Sequence, residues 1–514
     1  MKNRQPHCIF LNENFGQKLT GIEFSILLRS KIFIEYLKIK PTVITTQYNP
    51  QFRANIDKLI ENKQASKEIN FVNLYDVIQG FTHKISKKVD MVNLQGNLTM
   101  KKVEGYKDIR YLNKNDKAMM YVVYDKTTDD LSFINYFNNS GKIFKRDKYH
   151  CNGYLSSTQH IDISTNEIMH EILYNNFGKV VLIKYFIYKD KKNLLSQIHT
   201  FDENGAMVNV FFSDSEFITY ALSLYIESVK SKDIVLVSDR SKFLFLPSLD
   251  IKEKFSGKNI SVIPVIHSTH TFNEDTLNSG IKSHYADVFK HLDKIQTINV
   301  FTSLQNDDIK QRFDYDKSSI IPHTYFKQNQ DLQNKPTNKD VVYIARFSPE
   351  KNHSDAIKIF DKVVKKVPDA KLHFYGYGGE EKNMKEVILK LKLENSVIIH
   401  DYATNIEQIL SDASLSILTS KTEGFCLSLL ESIACGCPAV SYDIKYGPAE
   451  LINNENNGYL VPYGDKEEFA QKVIDILSDD ILQKRLSTAA VKQFDELFSP
   501  SCVAKLWDEV IHTI

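Results

Sequence analysis

Between residues 340 and 420 the chain alternates two apolar patterns. Short β-branched runs predict buried strands: "DVVYIAR" (340–346), "AKLHFYGYG" (370–378), "SVIIHDYA" (396–403) and "LSILTS" (415–420). Between them, "SDAIKIFDKVVKKV" (354–367), "EEKNMKEVILKLKL" (380–393) and "NIEQILSDA" (405–413) place apolar residues at helical period. Strands alternating with helices imply βαβ units and a parallel sheet. Residues 326–490 therefore read as a doubly wound α/β domain, and 491–514 as a last helix able to cross back. The polar, aperiodic stretch "FKQNQDLQNKPTNKD" (326–340) reads as a linker into that domain.

The first half carries the same alternation in two pieces. "HCIFLNENF" (7–15) predicts a strand, "TGIEFSILLRSKIFIEYLKI" (20–39) a turn and helix, and "PTVITTQY" (41–48) a strand. "DIVLVSDR" (233–240), "SVIPVIHSTH" (261–270) and "IQTINVFTS" (295–303) are apolar throughout, as strands buried on both faces are. A first α/β domain thus spans 1–74 and 211–325. The piece between, 75–210, is rich in Tyr and Phe and broken by hairpin signals at Asn139-Ser140-Gly141 and Glu203-Asn204-Gly205. It predicts an inserted antiparallel meander, and the likeness of "YFNNSG" to "TFDENG" hints at a repeated hairpin. The expected fold is α/β: two doubly wound domains facing across a cleft, with a β-rich insertion in the first.

Composition narrows the function classes. A chain of 514 residues exceeds the ~300 that one core supports. A net charge of +1 offers no global field for nucleic acid. No apolar run reaches the ~18 residues of a membrane span. The N-terminus "MKNRQPHCIFLNENFG" lacks the apolar core and cleavage site of a signal peptide, so a cytoplasmic protein is expected. Six cysteines show no zinc spacing and read as buried thiols, Cys435 and Cys437 included.

The candidate chemistry lies at strand ends, where doubly wound sheets bind ligands. In "TSKTEGFCLSLLESIACGCPAVSYD" (419–443), Glu423 falls in the loop after a strand. Phe425, Cys426, Leu427 and Ser428 open the next helix, whose free N–H groups suit a phosphate. Glu431 follows one turn in. Eight helical residues span ~12 Å, beyond the ~5–9 Å of a hydrolase pair. The two carboxylates can instead reach opposite ends of an elongated ligand such as a nucleoside diphosphate sugar. Solvated helix charges are the alternative. In "ARFSPEKN", Arg346 and Lys351 can hold a leaving diphosphate. Gly376, Gly378 and Gly379 mark another strand-end turn.

Taken together, "ARFSPEKN", "YGYGG", "TEGFCLSLLESIACGCPAV" and "YGPAELINNENNGYLV" resemble the retaining glycosyltransferases of family four, which have the GT-B fold. "LTGIEFSILLRSKIF", the β-rich insertion and "PVIHSTH" resemble a Gram-positive subgroup. It holds the wall teichoic acid α-glycosyltransferases, acting on poly(glycerol phosphate) or poly(ribitol phosphate), and O-glycosyltransferases of serine-rich adhesins. "DIKYGPAELI" and "FTSLQNDDIKQRF" look closest to the teichoic acid branch.

The resemblance implies a UDP-glucose or UDP-N-acetylglucosamine donor and transfer with retention, by a front-face route needing neither protein nucleophile nor metal. Arg346 and Lys351 would neutralise the diphosphate, Glu431 hold the ribose, and Glu423 contact sugar hydroxyls near the reacting carbon. Gly21 would let backbone approach the phosphates, and backbone at Tyr402 and Ala403 would meet the uracil. Gly376, Gly378, Phe425, Cys426, Leu427 and Ser428 complete the donor set. His267 would face sugar and acceptor, with His270 its rival. The implied partners are a teichoic acid polymer or an adhesin, the inner membrane face peripherally, and further copies through the insertion, but no nucleic acid. Lysines of "HKISKK" (83–88) and "KDKKN" (189–193) are candidate polymer contacts. A non-catalytic chaperone or binding subunit is disfavoured because Glu423, Glu431, Arg346 and Lys351 are all present.

Overall fold

In the computed structural model, residues 5–16, 19–80, 98–126, 129–327 and 338–514 are described. They divide into two compact units: residues 1–23 with 39–262, and 24–38 with 263–514.

The second unit holds a six-stranded sheet with the order Val397–His400, Lys371–Tyr375, Asp340–Ile344, Leu415–Leu418, Ala439–Asp443, Gly458–Pro462. Every neighbouring pair is parallel. The strands are short, and Val341, Val342, Leu372, Phe374 and Leu415 are buried. The helices His353–Val364, Glu381–Leu391, Ile406–Asp412 and Leu427–Ala434 fall where helical period predicts them. In the register that pairs Val341 with Leu415, strands 340–344 and 415–418 end side by side. The loops carrying Arg346–Lys351 and Glu423 therefore leave the sheet together.

The unit boundary differs from the expected one, which placed 211–325 wholly in the first domain. Residues 263–325 and the helical segment 24–38 find their apolar partners in the second unit. Phe33 meets Trp507 edge-on with centroids 5.6 Å apart. Thr324 Oγ1 donates to the Phe498 carbonyl at 2.6 Å. The run 295–303 contributes only Ile298–Val300, paired in parallel with Ser318–Ile320 in a separate two-stranded sheet. Most of the expected linker, residues 328–337, lies outside the described residues.

In the first unit a five-stranded sheet has the order Asn259–Pro264, Asp233–Ser238, His7–Asn12, Thr42–Thr45, Asn70–Asn73. The predicted insertion is a ten-stranded antiparallel sheet from Thr99–Lys102 to Met207–Phe211, its strands adjacent in chain order. Ile109, Tyr111, Met120, Val122, Ile134 and Tyr149 form its own core. Tyr48 Oη meets Ser156 Oγ at 2.7 Å, Gln79 donates to the Tyr174 carbonyl at 2.6 Å, and the Lys184 ammonium lies 4.9 Å from the Tyr75 ring centroid. These contacts anchor it to the α/β part of its unit.

The hinted repeat is real and more extensive than two copies. Asn113, Asn138, Asn175 and Asp202 each open a tip in which the side-chain oxygen accepts from the N–H groups two and four residues on. Such turns suit Asn and Asp because their side chains copy a backbone acceptor. Lys117, Lys142 and Lys179 close three of them and reach carbonyls of Asn139, Ile163 and Glu203 in following hairpins. Lys191 and Lys192 are exposed at or beside the 189–192 tip, whereas "HKISKK" lies outside the described residues.

Candidate functional site

Lys351 ends a short turn, Pro349–Lys351, after strand 340–344. Its Nζ donates to Glu423 Oε1 at 2.5 Å, and Ser420 Oγ donates to the same oxygen at 2.6 Å. Burial opposes the lysine charge, but the facing carboxylate outweighs it and drives the Lys351 pKa up. Both groups are largely enclosed, so the attraction is less screened than at a surface.

Arg346 stands apart from this pair. Its Nη2 donates to Glu350 Oε1 at 2.7 Å, and its side chain is 60% exposed. Burial works against the charge of Glu350, yet hydrogen bonds from Ser348 and Arg346 bring its pKa down to about 2. Arg346 keeps most of its five N–H donors for a ligand. The two cations expected for a diphosphate are therefore each partnered by a carboxylate.

Gly376 and Gly378 support the arginine loop from behind. A Cβ on Gly376 would lie 2.0 Å from the Ala345 carbonyl oxygen, and one on Gly378 would lie 2.2 Å from that of Phe347. The loop 345–347 is hydrogen-bonded to Tyr375 and Tyr377 across these positions. Gly379 meets nothing within 4 Å.

The helix that follows Glu423 runs from Leu427 to Ala434, with Cys426 at its cap in a left-handed conformation (φ 77°). Leu427 and Ser428 are half-buried at its open N-terminal turn. Phe425 instead points into the core, against Phe301, His323 and Phe498. Glu431 is buried, and among the described residues no hydrogen bond or ion pair reaches its carboxylate. Burial pushes its pKa up to about 8. Its field adds to the burial that raises the Tyr325 and Tyr402 phenols. Tyr402 packs edge-on against Tyr377, 5.9 Å away, and Ala403 beside it is half-buried.

The two histidines separate clearly. His267 is half-buried, 5.2 Å from the Phe301 ring, and its carbonyl is where a Cβ on Gly424 would fall, at 2.2 Å. The turns bearing His267 and Glu423 thus touch through a glycine. His270 is fully buried between Phe289 and Tyr446, and neither ring nitrogen has a hydrogen-bond partner. Burial takes its pKa down to about 4. An enclosed neutral ring has no face for a substrate, so the rival role falls away.

Gly21 lies in the first unit, opening the helix Gly21–Ile32. Thr20 N–H donates to Glu23 Oε2 at 2.8 Å, and Arg240 Nη2 donates to Glu23 Oε1 at 2.8 Å. Burial disfavours the charge on Glu23, but these partners lower its pKa. Thr20 and Glu23 have the spacing of a capping box, a readable signal that the sequence reading passed over. Gly424 and Arg240 were also missed. Gly424 stood in a quoted motif, but only the fold reveals its contact. Among the described residues no three His, Cys, Asp or Glu side chains converge to hold a metal. No helix there is long and apolar enough to cross a membrane.

Two family models match the chain. Residues 325–493 match the family described as Glycosyl transferases group 1, and 9–202 match Glycosyl transferase 1 domain A. The chain is 26% identical to poly(glycerol-phosphate) alpha-glucosyltransferase of Bacillus subtilis, over 96% of its own length and 72% of that protein's. It is 24% identical to poly(ribitol-phosphate) alpha-N-acetylglucosaminyltransferase of Staphylococcus aureus, over 95% and 96%. The crystal structure of TarM superposes with a TM-score of 0.84 over 99% of both chains, at 22% identity. The pneumococcal O-GlcNAc transferase GtfA, solved with UDP and GlcNAc, gives 0.73 over 99% of both chains, at 18% identity.

Proposed function

We propose, for a protein that belongs to the group 1 glycosyltransferases with the GT-B fold, that it moves glucose or N-acetylglucosamine from a UDP-sugar to hydroxyls of poly(glycerol phosphate) or poly(ribitol phosphate). The observation that carries the donor side is the enclosed Lys351–Glu423 pair at the ends of adjacent parallel strands. Near-full-length likeness to relatives named for those two polymers supports the acceptor.

In this reading Lys351 and Arg346 take the diphosphate, whose charge grows as the sugar–phosphate bond breaks. Preorganised cations are most effective where charge develops in the transition state. Glu423 holds Lys351 in place and meets sugar hydroxyls beside the reacting carbon. The buried carboxyl of Glu431 meets the ribose, and backbone near Tyr402 and Ala403 meets the uracil. The acceptor hydroxyl attacks the anomeric carbon on the face the phosphate leaves. Its proton passes to the departing phosphate oxygen, so configuration is retained without a protein nucleophile. His267 lies beside this centre through Gly424.

Two cations at the diphosphate make a divalent ion unnecessary. Activity that survives EDTA supports this; activity lost to EDTA and restored by Mg²⁺ or Mn²⁺ contradicts it. Assembly through the ten-stranded sheet belongs to the same proposal. Exposed Ile187, Leu194, Met207 and Val208 on that sheet support it. Light scattering of the pure protein tests it: a monomer at micromolar concentration removes it.

A further inference from the structure

No donor role falls to Lys282, yet its ammonium is held next to the turn that bears Glu423. Lys282 Nζ donates to Thr269 Oγ1, and Thr269 Oγ1 lies 3.5 Å from Thr422 Oγ1, one residue before Glu423. The segment is well tied. Thr271 and Ile281 form an antiparallel bridge, and Lys282 N–H donates to the His270 carbonyl at 2.9 Å. Ser268 N–H donates to Tyr285 Oη at 3.0 Å, and Gln305 donates to the Ser268 carbonyl at 3.0 Å. His267 begins this segment and abuts Gly424. Lys282 thus approaches the Glu423 turn from the side on which His267 stands.

Its charge is not answered by a carboxylate among the described residues. Lys282 is half-buried, and burial lowers its pKa. Asp308, whose charge acts on the adjacent His270, is already engaged by Lys445 at 3.0 Å and by Tyr446 Oη at 2.7 Å. The neighbouring His270 is neutral and buried. An ammonium has three donors, and one neutral hydroxyl satisfies only one of them. Such a group favours an anion strongly, because charge-assisted hydrogen bonds are about twice as strong as neutral ones. The donor diphosphate already has Lys351 and Arg346. In a polyol phosphate chain, a hydroxyl that receives sugar lies close along the backbone to a carbon carrying a phosphate ester.

We propose that Lys282, positioned by Thr269, binds a phosphodiester of the acceptor chain beside the hydroxyl that receives the sugar. The assignment rests on the polyol phosphate reading above. It gives the protein a way to tell a phosphate polymer from an uncharged hydroxyl or a serine side chain.

The test compares poly(glycerol phosphate) and poly(ribitol phosphate) with free glycerol as acceptors, using whichever polymer, and whichever of UDP-glucose and UDP-N-acetylglucosamine, the wild type accepts. The variants are Lys282→Ala, Lys282→Gln, Lys282→Arg and Thr269→Ala. Loss of a charged hydrogen bond predicts a fall of about tenfold or more in the preference for polymer over glycerol, in Lys282→Ala. Lys282→Gln keeps a donor for Thr269 without the charge and loses the preference as well. Lys282→Arg recovers much of it, and Thr269→Ala shows a smaller loss in the same direction. KM for the UDP-sugar moves little. An unchanged preference in the alanine and glutamine variants overturns the proposal. A donor KM that rises in step with the polymer KM also overturns it and assigns Lys282 to the donor diphosphate. A wild type that prefers neither phosphate polymer over glycerol defeats the polyol phosphate reading itself, and this assignment with it.

Discussion

Lys351 Nζ and Glu423 Oε1 stand 2.5 Å apart although their residues are separated by 72 positions in the chain. One comes from the loop after strand 340–344 and the other from the loop after its neighbour, strand 415–418. Removing either partner leaves the other enclosed without its counter-charge. Lys351→Ala is expected to lower kcat by roughly 10²–10³, the effect of losing a transition-state charge partner. Because the groups act as a pair, Lys351→Ala combined with Glu423→Gln should cost less than the sum of the two losses. Steady-state rates for the two single variants and the double variant check this. Fully additive losses would mean the pair does not act as a unit.

Arg346→Ala is expected to be damaging for a different reason. The residue is 60% exposed and paired only at the surface with Glu350, so its loss should leave folding stability within about 0.5 kcal/mol of the wild type. Turnover should still fall by roughly 10²–10³ if it takes the diphosphate. Urea unfolding alongside kcat separates the two effects. Near-normal turnover would remove Arg346 from the site.

The neighbouring glycines offer a matched comparison. Gly376→Ala puts a methyl 2.0 Å from a backbone oxygen of the Arg346 loop, whereas Gly379→Ala meets open space. The first should cost about 1–3 kcal/mol through overpacking, and activity with it. The second should be close to silent. Equal behaviour of the two in urea unfolding and turnover would contradict the contact.

Glu431 makes the ligand-free protein sensitive to pH. Its folded pKa of about 8 is above the ordinary 4.5, so its contribution to stability is fully present below 4.5. That contribution declines as pH rises and is lost above about 8. Glu431→Gln lacks this slope. The stability of wild type relative to Glu431→Gln should therefore fall between pH 5 and pH 8.5, measured by urea unfolding without nucleotide. Parallel profiles would contradict the burial of an unpaired carboxyl. If ribose hydroxyls donate to this group, they favour its ionised form, and UDP binding near pH 7 should release a proton. Calorimetry in buffers of different ionisation enthalpy detects that release.

The fold was largely legible because its signals are local. Each strand of the C-terminal sheet is a short β-branched run, and each helix carries its own period. The places of Glu423, Arg346 and Lys351 were legible for a related reason: they sit just past strand ends, where candidate chemistry collects in a parallel sheet, with Glu431 in the helix that follows. What escaped depends on contacts distant in the chain. Nothing near Gly424 announces that the His267 backbone passes 2.2 Å from where its Cβ would be. Nothing in "HSTH" distinguishes a half-buried first histidine from a fully enclosed second one. The helix 24–38 looks like part of the first domain until Phe33 is seen against Trp507. The pairing of Lys351 with Glu423, 72 positions away, was likewise invisible.

A polyanionic acceptor should respond to salt. The net charge is only +1, so attraction must come from local lysines. Polymer KM is expected to rise several-fold between low and physiological ionic strength, with a smaller change for the UDP-sugar. Neutralising Lys87, Lys88, Lys191 and Lys192 together should raise the polymer KM in the same direction. A polymer KM indifferent to both would point away from a phosphate polymer.

The central claim is the pairing of a UDP-sugar with a polyol phosphate chain. The most direct measurement incubates the pure protein with UDP-glucose and with UDP-N-acetylglucosamine, each against poly(glycerol phosphate), poly(ribitol phosphate) and a serine-rich peptide. Product is followed by mass and the anomeric configuration by NMR. The account predicts α-linked sugar on one of the two polymers from one of the two donors, with little on the peptide. Efficient transfer to the peptide with none to either polymer, or no transfer to any acceptor, would contradict it.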